Sequence, residues 1–392
     1  MRPLSDTITR LARIRAMQAP RSDEAPSALT PLPKFGGNPG NLAGHAFVPK
    51  DLAPGAALVV VLHGCTQTAS GYDRGAGWSR LAERSGFAVL YPEQQRANNG
   101  NLCFNWFQPD DTARDSGEAA SIRQMIAHMV ARHGIDPSRI YITGLSAGGA
   151  MASAMLASYP EVFAGGAIIA GLPHGVAQSV PQAFDRMRGY GLPGEAELQA
   201  LLTGASPHDG PWPAISIWQG TADTTVAPTN ADAILSQWRG AHGVPKPATR
   251  SQTKGGQRVE TWINAAGRAV IERHIIPGMA HGTPLNIKAG DALAGPFMLD
   301  VGIDSTAQIA AFWELDGAGV AGAEPRAARR VKAETPAEPV LESEILLPGE
   351  GAEPKRAARK TKVDDTGTPH SAKAAGIQTV IEDALRKAGL MR

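Results

Sequence analysis

Cysteine is scarce in this chain, with Cys65 and Cys103 the only two. Two are too few for a disulfide scaffold, and they lack the paired spacing of a zinc site, so no metal is expected. They either form one bridge or stay as buried thiols. An excess of one charge is also missing, because 38 Lys and Arg oppose 37 Asp and Glu for a formal net charge of +1. Nothing in that balance suggests a nucleic-acid or membrane-surface role, and the main partner reads as small or neutral. No apolar run reaches the roughly 18 residues of a membrane-spanning helix. Met1 to Met17 spaces Leu4, Ile8 and Leu11 helically among Arg10, Arg13 and Arg15, without the continuous apolar stretch of a secretory signal.

What is present suits a globular protein: 43% hydrophobic and 19% charged residues over 392 positions. One sizeable core with appendages is expected. Residues 1–34 read as an N-terminal helix and a lead-in, irregular over Ser22 to Asn41 where Pro, Ser, Gly and Ala dominate. The core spans 35–317. Residues 318–374 turn to Ala, Glu, Pro, Lys and Arg, too poor in large apolar groups to offset ordering entropy, and read as a disordered linker. That linker carries a near-repeat, GAEPRAAR from Gly322 and GAEPKRAAR from Gly351, whose charges serve chiefly to keep it solvated. Residues 375–392 close the chain with Ile377, Val380, Ile381, Ala384 and Leu385 at helical spacing, an amphipathic helix whose docking partner is unknown.

Within the core, short β-branched runs alternate with helical patterns. Leu58 to Leu62, Phe87 to Tyr91, Ile140 to Thr143, Ala167 to Ala170 and Ile215 to Trp218 read as buried strands. Ile122, Met125, Ile126, Met129 and Val130 make the apolar stripe of a helix packed on them. Val259 to Ile263 and Ala269 to Ile276 flank Asn264-Ala265-Ala266-Gly267 as a hairpin, and a last helix covers Ser305 to Leu315. Strands alternating with helices imply a mostly parallel sheet.

One strand runs directly into Gly144-Leu145-Ser146-Ala147-Gly148, and Ala150 to Ala157 then forms a helix. Strand, sharp turn and helix are the context of a nucleophile elbow, in which the glycines let two backbones approach closely. The reading is an α/β-hydrolase fold with Ser146 as nucleophile. A serine hydroxyl needs a base and a carboxylate to orient that base, and in this fold they follow in the order acid, then His. His174, His208, His242, His274, His281 and His370 all lie after Ser146. His281 is favoured because its glycine-containing loop follows a strand end, and Asp223 because it lies just beyond Ile215 to Trp218. The oxyanion needs backbone donors, and the amides of Ala147 and of Cys65, in the turn His63-Gly64-Cys65, are the candidates. His63 and Trp106 are candidate substrate contacts.

With these residues in view, the sequence resembles the polyhydroxybutyrate depolymerase family of esterases, grouped with bacterial feruloyl and acetylxylan esterases. The resemblance covers about Phe35 to Leu315 and rests on LHGCTQTA from Leu62, CFNWF from Cys103, DPSRIYITGLSAGGAM from Asp136, WQGTADTTVAPTN from Trp218 and GMAHGTPL from Gly278. It implies hydrolysis of short-chain hydroxyalkanoate esters by a Ser146, Asp223, His281 triad, without cofactor, and a bridge between Cys65 and Cys103. The family's acid segment usually reads His-Gly, whereas here it reads Gln219-Gly220. Feruloyl or acetylxylan ester cleavage is the alternative, and a binding or surface-anchoring protein on a hydrolase scaffold is the alternative of another class. Family members are typically extracellular, while no signal is visible here, which leaves a cytoplasmic location open.

Overall fold

The computed structural model describes residues 27–315. They belong to the first of two compact units, Met1–Ala323. The expected N-terminal helix, the 318–374 linker and the 375–392 helix lie outside the described residues.

Ten strands form one sheet: β1 (Thr30–Pro31), β2 (Ala43–Phe47), β3 (Leu58–Leu62), β4 (Ala88–Glu93), β5 (Ile140–Leu145), β6 (Gly165–Ile169), β7 (Ala214–Gly220), β8 (Arg250–Lys254), β9 (Gln257–Ile263) and β10 (Ala269–Ile276). Their spatial order is β1-β2-β4-β3-β5-β6-β7-β10-β9-β8. From β4 to β10 neighbouring strands run parallel, and the two ends of the sheet are antiparallel. A separate pair, β11 (Thr283–Leu285) and β12 (Met298–Asp300), follows. The helices are α1 (Ala69–Ala76), α2 (Trp78–Ser85), α3 (Pro109–Thr112), α4 (Gly117–His133), α5 (Ala147–Ser158), α6 (Val180–Met187), α7 (Glu195–Thr203), α8 (Thr229–His242) and α9 (Ser305–Phe312).

The central strands are apolar on both faces because both faces are covered. Along β3, Leu58, Val60 and Leu62 join one hydrophobic cluster while Val59 and Val61 join another, the two-residue period of a strand between two helical layers. The first cluster takes Ile122, Met125, Ile126 and Met129 from α4, together with apolar faces of α5 and α8. The second takes Tyr72 from α1, Trp78 and Leu81 from α2, and Ile309 from α9. The mostly parallel, helix-flanked sheet expected from the sequence is therefore present. β1 lies inside the stretch read as irregular, where it pairs with β2. The segment between β6 and β7 adds α6 and α7, whose Ala183 and Leu198 enter a third cluster beside Ala147. Among the described residues, no helix is long and apolar enough to cross a membrane.

Candidate active site

Ser146 sits where β5 ends and α5 begins. Its backbone lies at φ 57 and ψ −118, a region that a residue with a side chain adopts at a cost of about 1–3 kcal/mol. Two hydrogen bonds hold the turn: Ser146 N–H donates to Ile169 O at 2.9 Å, and Ala150 N–H donates to Ser146 O at 2.8 Å. Sequence explains the tightness. A Cβ on Gly144 would lie 2.3 Å from Gly148 O, and one on Gly148 would lie 2.4 Å from both Leu62 O and His63 O. Only glycines allow strand, elbow and helix to approach this closely.

Asp223 follows β7 and His281 follows β10, two strands paired in parallel, so both loops emerge at the same sheet end. The loops are stitched together: Ala222 N–H donates to Met279 O at 3.0 Å, and Gly278 N–H to Thr221 Oγ1 at 2.9 Å. His281 Nδ1 donates to Asp223 Oδ2 at 2.7 Å. That oxygen also accepts from Gln219 Nε2 at 3.1 Å, while Oδ1 accepts from the amides of Thr225 at 2.9 Å and Val226 at 2.8 Å. Four donors converge on one buried carboxylate, which as an acceptor-only group satisfies them all. With its proton on Nδ1, His281 keeps Nε2 as an acceptor. Ser146 and His281 are each 8% exposed. No hydrogen bond joins the Ser146 hydroxyl to His281 among the described residues, as is common for such pairs before substrate binds.

The remaining histidines have other partners. His174 is gripped through its backbone by Gln237, and burial pushes its imidazole down to about 4. His242 contacts Pro213 O and is lowered to about 4, again by burial. His208 meets Pro211 O, and His274 stacks on Trp218 with ring centroids 3.6 Å apart. His370 lies outside the described residues.

Cys65 and Cys103 are joined as a disulfide across 38 positions, which resolves the two alternatives left by the sequence. As the first residue of α5, Ala147 has an N–H without an intrahelical acceptor. The Cys65 amide donates to no backbone acceptor among the described residues. Trp106 packs in the cluster that contains Ala147, Ala150 and Leu172, with Cys65 and Cys103 against it, so it walls the region beside the elbow. His63, expected as a substrate contact, is 1% exposed, and both ring nitrogens are occupied: Nδ1 meets Gly64 O at 2.8 Å and Nε2 accepts from Gln94 N–H at 3.1 Å. It offers a ligand no free polar atom and holds the turn from behind. Sequence reasoning missed the Gln219 amide on Asp223, although the Gln219-Gly220 departure marked the position. Among the described residues, no group of three or more His, Cys, Asp and Glu is gathered as a metal site.

Residues 47–262 match the family model described as esterase PHB depolymerase. Poly(3-hydroxyalkanoate) depolymerase C of Paucimonas lemoignei is 45% identical over 294 residues, which cover 74% of this chain and 71% of that protein. Acetylxylan esterase A of Emericella nidulans is 33% identical over 235 residues, 58% of this chain and 76% of the relative. An acetyl xylan esterase structure from Aspergillus awamori superposes with a TM-score of 0.63 at 22% identity, over 73% of this chain and 99% of that one, and so shares the α/β-hydrolase fold. By the family match and the depolymerase likeness together, the chain belongs to the PHB depolymerase family of ester-cleaving enzymes.

Proposed function

We propose that the chain is a serine carboxylic-ester hydrolase acting on short-chain hydroxyalkanoate esters, with Ser146, His281 and Asp223 as its triad. The observation that carries the reading is the 2.7 Å bond from His281 Nδ1 to Asp223 Oδ2, on loops at the same sheet end, in a chain whose Ser146 occupies a strained elbow. His281 Nε2 takes the Ser146 proton as Oγ attacks the ester carbonyl. The tetrahedral oxyanion is met by the amides of Ala147 and Cys65. His281 then returns the proton to the departing alcohol, leaving an acyl-serine, and repeats the cycle with water to release the acid. Asp223 holds the imidazole in the required tautomer throughout.

The hydroxyalkanoate assignment draws on the 45% identity to the Paucimonas depolymerase. The likeness to acetylxylan esterase A of Emericella nidulans favours acetylated xylan as the second reading. Hydrolysis of p-nitrophenyl butyrate should vanish in Ser146→Ala, and retained turnover would refute the triad. Parallel assays on hydroxybutyrate oligomers, methyl ferulate and acetylated xylan decide the substrate, with the oligomers expected to give the highest kcat/KM.

A further inference from the structure

Behind the Cys65 turn runs a buried polar chain that the proposed chemistry leaves unused. Glu118, in the first turn of α4, is 1% exposed. One carboxyl oxygen accepts from Gln94 Nε2 at 2.5 Å and the other from the Asn105 backbone N–H at 2.9 Å. Gln94 Nε2 also donates to the Cys103 carbonyl at 3.0 Å, and the Gln94 amide donates to His63 Nε2 at 3.1 Å. His63 Nδ1 in turn donates to Gly64 O at 2.8 Å. Gly64 O and Cys65 N–H belong to one peptide unit.

That shared unit matters for two reasons. A trans peptide is planar with its C=O and N–H pointing opposite ways, so holding Gly64 O, by His63 at 2.8 Å beside a longer 3.3 Å bond from Gln67 N–H, fixes the direction of Cys65 N–H. A hydrogen bond accepted at the carbonyl also polarises the amide and strengthens its N–H as a donor. The same chain reaches Cys65 by a second route, because Gln94 grips Cys103, which is bridged to Cys65. Burial lowers the His63 imidazole, consistent with the neutral tautomer that donates from Nδ1 and accepts at Nε2. A buried carboxyl group is costly to desolvate, and here that cost is offset by the two donors it satisfies, Gln94 Nε2 and Asn105 N–H. A buried carboxyl so directly connected to the turn points to a purpose beyond packing.

We propose that Glu118 is a positioning residue for the oxyanion donor: through Gln94 and His63 it sets the orientation of the Gly64–Cys65 peptide whose N–H meets the tetrahedral intermediate. The inference rests on the esterase reading above. Glu118→Gln keeps the side chain's length, but both oxygens of a carboxyl group can accept a hydrogen bond whether or not it is protonated, whereas an NH2 group cannot, so the link to Gln94 Nε2 or to Asn105 N–H must break.

The test compares the full-length parent, Ser146→Ala, Glu118→Gln and Gln94→Met on a p-nitrophenyl ester and on a trifluoromethyl ketone, whose hemiketal with Ser146 carries an oxyanion. In both positioning variants kcat should fall roughly 10- to 100-fold with KM held within about threefold, and the ketone should lose affinity by the same factor. Gln94→Met provides an independent reading should Glu118→Gln fail to fold. Folded variants that melt lower but keep kcat and ketone affinity within about twofold would overturn the inference and leave the esterase reading intact. A parent that does not hydrolyse the ester, or a Ser146→Ala that does, would overturn the esterase reading and the inference with it.

Discussion

Gly148→Ala is the substitution whose effect is best worked out from the elbow's geometry. The new Cβ would lie 2.4 Å from both Leu62 O and His63 O, and real Cβ contacts essentially never fall under 3.0 Å. Both obstacles are backbone atoms, so no side chain can turn aside. The start of α5 must withdraw from the end of β3 by roughly 0.6–1 Å, because close-packed interiors have no slack to absorb it. These two segments carry the two amides proposed to meet the oxyanion, Ala147 on one and Cys65 just beyond the other. Loss of one such donor lowers kcat by about 10²–10³, some 2.7–4 kcal/mol, and a displacement near 1 Å costs about 10². A fall in kcat/KM of about 10²-fold is therefore expected, with overpacking lowering stability by about 1–3 kcal/mol. Gly134→Ala is the control: that glycine has φ +61 and nothing within 4 Å of an added Cβ, so about 1–2 kcal/mol of backbone strain is expected with unchanged turnover. Ester hydrolysis and thermal melting read both effects. A folded Gly148→Ala with kcat/KM within about threefold of the parent would refute the oxyanion geometry.

Two further outcomes follow from the same network. Asp223→Asn replaces an acceptor of four hydrogen bonds with a half-amide that cannot accept all of them, releasing the His281 tautomer. Its kcat should fall about 10³–10⁴-fold with the fold intact, and a loss under tenfold would argue against His281 as the base. Burial, with Asp111 adding a like charge, pushes the Glu118 carboxyl from 4.5 up to about 8. The folded state then holds a proton that the unfolded chain releases, so the stabilisation is complete below pH 4.5 and is lost as pH rises through 8. Between those limits the parent should lose up to about 5 kcal/mol relative to Glu118→Gln. Melting curves from pH 5 to 9 should therefore converge or cross, and parallel curves would contradict the assignment.

The sequence made the middle of the molecule legible because burial on both faces leaves unbroken apolar runs. Leu58–Leu62 and Ala269–Ile276 matched their strands end to end. The edges were opaque for the opposite reason. β8, Arg-Ser-Gln-Thr-Lys, is exposed throughout and its residues show no apolar alternation, while β2 is built largely of small residues that signal neither period. α6 and α7 were missed because they bury few residues, Ala183 and Leu198 in a local cluster and Leu202 in the main core, too few to set a clear helical stripe. At the candidate site, Ser146, Asp223 and His281 could be picked out because each follows a strand run. Gln94 and Glu118 were not, since a carboxylate at a helix start ordinarily reads as a solvated cap, and only the fold brings it to Gln94, 24 positions away.

Position 65 separates two demands that usually fall on one side chain. Its amide is wanted by the proposed chemistry and its sulfur by the bridge to Cys103. Every amino acid except proline supplies the amide. Evolution is therefore free to discard the cysteine pair wherever another contact keeps the turn in place, and the reaction would survive the exchange. Proline alone would end both at once.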